Sequence, residues 1–293
     1  MARKSNKYAG DQIDVYDPTG VGKYLGLGRA VDFSDDINRI AILLAIIAAA
    51  AATGWETFNG ANANESALAG LGAGLSFAFS YLIALELDPD RKIGGIIAGI
   101  LTTGIFFYAG AGNMLASLWL IFVLRMLSRT SGDRHRIGDN FILIGCGLWL
   151  GKDGYWLFPL LTGAAYILES QMPKGYYRSW YLSALAFASL YFCDRNALTN
   201  DLSLNFIYVL AAAFILFLPE VGVAPYSRAL GDKNGKKLFY RRIQTAQGYF
   251  MITLFSIAFV HGNAGVITMM PGIMAALGCG IYLLVALLQH KVA

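Results

Sequence analysis

The stretch YLIALELDPDRKIGG, Tyr81 to Gly95, decides the class of this chain. An apolar run ends at Leu85. Three acids and two bases follow within seven residues, and a second apolar run begins at Ile93. The pattern repeats along the sequence. Apolar runs cover Ile40–Thr53, Ala67–Leu85, Ile93–Gly110, Met114–Met126, Phe141–Leu150, Tyr155–Leu168, Trp180–Cys193, Leu204–Leu218, Ala246–Val260 and Val266–Leu288. The 293 residues are 56% hydrophobic and 14% charged, against about 25% charge in soluble domains. The reading is an all-α polytopic membrane protein with about ten transmembrane helices.

Charge placement sets the orientation. With the N-terminal tail inside and the connections alternating, Lys152 and Arg195 are the two bases left outside among the 23 Lys and Arg. The positive-inside rule then puts both termini in the cytoplasm of a plasma or inner membrane. Phe141–Leu150 and Tyr155–Leu168 are shorter than the roughly 20 residues a spanning helix needs. The alternative is eight spans plus a re-entrant hairpin at 141–168. Residues 1–38 form a polar cytoplasmic tail without a signal-peptide core, and 39–290 form the bundle. The basic segment 219–245 is a cytoplasmic loop expected to meet anionic lipid.

Smaller motifs are read modestly. DPTGVGKYLG, Asp17 to Gly26, departs from a phosphate-binding loop at two positions and reads as a flexible glycine-rich tail. Gly70–Gly74, Gly95–Gly99 and Gly147–Gly151 have the spacing of close helix contacts. Pro159 and Pro271 are expected to kink their helices. Cys146, Cys193 and Cys279 lack metal or redox spacing. Basic residues serve topology, so no nucleic-acid partner is expected.

Polar chemistry concentrates in two inward loops. One carries Glu86, Asp88, Asp90, Arg91 and Lys92; the other, RTSGDRHRIGDN, carries Asp133, Arg134, His135, Arg136 and Asp139. Carboxylates Asp88, Asp90, Asp133 and Asp139 are candidates to share a divalent cation. Arg91, Arg134 and Arg136 are candidates to bind a phosphate-bearing substrate. The layout LELDPDRKI followed by RIGDNFILIGCGLWLG resembles in part that of the prepilin peptidases. These are membrane aspartyl proteases with one aspartate at a span end and another in a G-x-G-D motif two spans later. Arg136 stands where the first motif glycine belongs. The resemblance implies Asp88 or Asp90 with Asp139 as the catalytic acids.

The spans offer another route. None has a charge at its centre, where an ion or proton path usually places one. Hydroxyls at Ser76, Thr102, Thr103, Ser117 and Ser256 are candidates to line a small-solute pathway. Ten spans with both ends inside divide into two five-span halves of inverted topology, a layout that resembles the drug/metabolite-type carriers.

Three readings remain open. The first is a carrier or permease for a small neutral or amphipathic solute or lipid. The second is a cytoplasmic-face enzyme acting on lipid or peptide through Asp90 and Asp139, the only reading that calls for a divalent cation. The third is a structural subunit that docks membrane-complex partners through its N-terminal tail.

Overall fold

A computed structural model describes residues 20–28, 32–194 and 201–289. The first part of the proposed docking tail, Asp17–Thr19 of the glycine-rich motif, and the charge-count residues Arg29, Arg195 and Lys291 lie outside those residues. The described chain carries ten α-helices. They are α1 (Asp36–Phe58), α2 (Ala63–Leu87), α3 (Ile93–Ala109), α4 (Met114–Ser128) and α5 (Ile137–Lys152). They continue with α6 (Leu157–Gln171), α7 (Ser179–Ser189), α8 (Leu204–Val223), α9 (Tyr240–Thr268) and α10 (Met270–Leu288). Each apolar run of the sequence became one helix. Five of them, α1, α2, α8, α9 and α10, are long and apolar enough to cross a membrane. Backbone polar groups inside hydrocarbon need internal partners, and a helix supplies them all.

The short helix α4 sits in the middle, packed against α2, α5, α6 and α9. Its Trp119, Leu120 and Leu124 are fully buried. Trp119 donates to Thr162 at 2.8 Å and stands edge-on to Phe158, which fixes α4 on α6. On the other flank α1, α3 and α10 pack around α2, and α8 lies against α10. Small residues set the closest approach. A Cβ on Gly70 would stand 2.0 Å from the Thr53 hydroxyl of α1, and one on Gly278 would meet the α3 backbone at 2.5 Å. The expected packing role of the Gly70–Gly74 pair is therefore realised.

Loops sort to two ends. The 88–92, 129–136 and 224–239 connections and residues 20–28 bond to one another. At the opposite end Asn113 N–H bonds Thr268 C=O, and Ser203 N–H bonds Asn263. The α5–α6 turn reaches that opposite end too, with the Tyr155 ring 5.1 Å from the His261 ring.

Several boundaries differ from the sequence reading. Pro159 and Pro271 do not kink helices; they occupy the first turns of α6 and α10, where a missing N–H leaves nothing unsatisfied. The break falls instead at Gly262, φ 55°, inside α9. The segment 219–245 is not all loop: α8 continues through Pro219 to Val223, and α9 begins at Tyr240. Residues 20–28 are not a flexible tail. Gly20–Lys23 forms a 3-10 turn, and Leu27 is fully buried.

Candidate functional site

A groove of about 790 Å³ runs along α1 and α2. Its long wall is apolar, with Ala41, Ile46, Leu71, Phe77, Ala78 and Leu82. Ile46 and Leu71 are 60% and 57% exposed, so the groove opens sideways at the helix surface. One end is polar. There Lys92, Arg125 and Lys233 meet Asp32 and Asp232, while Tyr81 donates to Asn38 at 2.6 Å. Arg125 is held by Glu86 of α2, and the two lysines are held by the surrounding chain. Lys92 pairs with Asp35, the residue that caps α1 through Ile37 N–H. That lysine bond, the largest influence, holds the Asp35 carboxyl below the usual range. Lys233 donates to the Gly26 carbonyl at 2.6 Å.

Three glutamates lie buried at the helix ends facing the basic loops, each against arginine. Glu86 accepts from Arg125 at 2.8 Å and from the Thr130 hydroxyl. Glu169 accepts from Arg129 at 2.9 Å and from Arg242 at 2.7 Å. Glu220 accepts from Arg91 at 2.6 Å, and the same guanidinium donates to Asp88 at 2.6 Å. A buried carboxylate is tolerated where such pairing replaces its water. At Asp88, 3% exposed, burial wins: it pushes the carboxyl above the usual range although Arg91 opposes it. Glu86 was noted in the sequence only as one charge of the first inward loop, and Glu169 and Glu220 were missed, because each stands just beyond an apolar run and looks like loop solvation. Glu86, Glu169 and Glu220 immediately or nearly follow Leu85, Leu168 and Leu218 at the basic end, and that recurrence was the available signal.

The two acidic loops have separate partners. Asp88 belongs with Arg91 and Glu220, and Asp90 accepts from Arg228 N–H at 3.1 Å. Asp133 bonds Arg136 at 2.9 Å. Asp139 is fully buried and accepts from the N–H groups of Gly26, Leu27 and Arg136. It caps α5 and docks the N-terminal segment. Among the described residues, no group of three or more His, Cys, Asp or Glu side chains is placed to hold a metal ion. Beside this cap, His135 is buried between Asn140, at 2.8 Å from Nδ1, and Ser179, at 3.0 Å from Nε2. Burial pushes its imidazole down to about 4.

The candidate arginines divide. Arg134 and Arg136 line a second pocket, and Arg91 lies in a third, with Asp88 and Asp90. None of the candidate pathway hydroxyls lines the α1–α2 groove. Thr102, Thr103 and Ser117 donate to carbonyls of their own helices or cap at 2.8–3.0 Å, the local bond such hydroxyls favour. Ser76 is buried with its hydroxyl unpartnered, and Ser256 is half-buried on α9. Comparison of the chain with protein-family models, curated proteins and solved structures gives no match. The apolar helices make this an integral membrane protein.

Proposed function

We propose that the protein crosses the membrane ten times with its basic loops in the cytoplasm, and that it carries an amphipathic lipid with a phosphate headgroup. The observation that carries this reading is the α1–α2 groove. It is apolar along its length, open sideways, and polar only at the end beside the basic loops. Its volume lies within the roughly 300–1,000 Å³ of ligand sites. An acyl chain suits the apolar wall. A phosphate suits Lys92, Arg125 and Lys233, and the adjacent Asp32 and Asp232 suit an amine on the same headgroup. The ten crossings find support in the sorting of loops to two ends and in the Tyr155–His261 contact, which sets the α5–α6 turn opposite the basic loops.

The test is lipid movement between leaflets. The protein is reconstituted into phosphatidylcholine vesicles holding traces of fluorescent phosphatidylethanolamine, and outer-leaflet dye is bleached. Wild type is expected to expose inner-leaflet dye faster than protein-free vesicles. Ala78→Trp, which fills the groove, is expected to slow this about tenfold, a barrier increase of about 1.4 kcal/mol. No acceleration by wild type, or an unaffected Ala78→Trp, overturns the reading.

A further inference from the structure

A second pocket, of about 150 Å³, lies between the α4–α5 loop and the α8–α9 hairpin. Among the described residues, its wall holds seven cationic side chains from four chain segments and one acid, Asp133. Glu169 lies beneath, bound to Arg129 and Arg242. Among the described residues, four of these cations are arginines, Arg129, Arg134, Arg136 and Arg242, gathered around the carboxylates Asp133 and Glu169, and bringing like charges together at a protein surface is unfavourable without a counter-charge.

The deepest cation is incompletely satisfied. Arg242 is 1% exposed. Its Nε donates to the Pro173 carbonyl at 2.9 Å and its Nη1 to Leu127 and Glu169, but its Nη2 is buried with no partner. Arg129 Nε is buried without a partner as well. A buried donor left without an acceptor costs about 1–3 kcal/mol, more when charged, so such donors point to a missing acceptor. The backbone adds a second sign. Among the described residues, the two non-glycine residues with positive φ are Arg129 at 58° and Lys174 at 61°. Both line this pocket, and Arg129 Nη2 bonds the Lys174 carbonyl. Strained residues of this kind gather at ligand sites.

The hairpin is rigidly placed. Asp232 and Lys233 N–H groups bond the Thr130 and Ser131 carbonyls at 3.1 Å. Gly231 packs so closely on Gly132 that a Cβ there would stand 2.7 Å from its Cα. Lys236 and Lys237 follow on the same hairpin and line the pocket together with the guanidinium groups.

We infer that this pocket is a binding site for a phosphate-bearing anion, either a soluble phosphate or the headgroup of an anionic lipid. Guanidinium groups at the floor bind phosphate oxygens in pairs, and the lysines at the rim add charge. The site shares no lining side chain with the groove except through the hairpin backbone, and it stands whether or not the carrier reading does.

The full chain in nanodiscs tests this with two probes. Inorganic pyrophosphate is titrated calorimetrically into phosphatidylcholine nanodiscs, and thermal midpoints are compared in nanodiscs with and without phosphatidylinositol bisphosphate. Wild type is expected to bind one probe saturably. Lys236→Ala/Lys237→Ala removes two exposed rim lysines and is expected to weaken that binding at least about tenfold, while Ala78→Trp leaves it unchanged. Saturable pyrophosphate binding assigns a soluble anion; a midpoint gain confined to the phosphoinositide assigns a headgroup. If neither probe binds saturably, or the double variant binds as wild type does, the inference is wrong.

Discussion

Arg91 donates at 2.6 Å to Glu220, a residue 129 positions away in sequence, and at 2.6 Å to Asp88 beside it. One guanidinium thus ties the end of α2 to the end of α8. Removing it as Arg91→Ala would leave two buried carboxylates facing each other. Breaking a buried pair in this way destabilises by about 3–5 kcal/mol. The thermal midpoint in detergent should fall clearly, and Glu220→Gln introduced into Arg91→Ala should recover part of the loss. Equal midpoints for wild type and Arg91→Ala would show that the bridge does not matter to the fold.

Asp139 should behave as an anchor for the N-terminal segment. Asp139→Ala removes the acceptor for the Gly26, Leu27 and Arg136 N–H groups, each charged bond being worth about 1.5–3 kcal/mol. Trypsin should then cut after the exposed Lys23 much faster than in wild type, before the bundle itself is attacked. An unchanged cleavage rate would place the anchor elsewhere.

His135 gives stability a pH dependence of known sign. The unfolded chain protonates this imidazole near 6.5, whereas burial holds it off until about 4 in the fold. Stability contributed here is complete above 6.5 and is lost as pH falls through that window. The loss reaches about 3 kcal/mol by pH 4. His135→Gln lacks the titration. The difference in midpoint between wild type and variant should therefore shrink or reverse from pH 7 to pH 4; a difference independent of pH would refute the assignment.

Two glycine substitutions should part company. Gly70→Ala drives a methyl into Thr53 and the Ala49 carbonyl of α1 and should cost about 1–3 kcal/mol. Gly104→Ala in α3 meets nothing within 4 Å and should stabilise by up to about 1 kcal/mol through helix propensity. Thermal midpoints measured side by side decide the matter.

The helices were legible because an apolar run in a membrane has little choice but to be a helix. Their ends were less so. Arg241 and Arg242 look like loop residues, yet α9 includes them because Arg242 reaches the buried Glu169 on α6. Glu220 looked like loop for the same reason and is helical because Arg91 meets it. Such pairings join residues 73 and 129 positions apart, and no local pattern records them. The candidate site was half visible. Arg134 and Arg136 do line a cationic pocket, but their companions Lys174, Lys236 and Arg242 come from segments distant in sequence. The serine and threonine candidates lie apart from the groove, and Thr102, Thr103 and Ser117 bond the preceding turn or cap of their own helices, as such hydroxyls readily do.

The short hairpin after α8 belongs to two neighbourhoods at once. Asp232 and Lys233 close the polar end of the groove, and Asn234, Lys236 and Lys237, next along the same turn, wall the cationic pocket. A side chain introduced at Gly231, where a Cβ would stand 2.7 Å from the Gly132 Cα, would displace this turn and so disturb the walls of both places together.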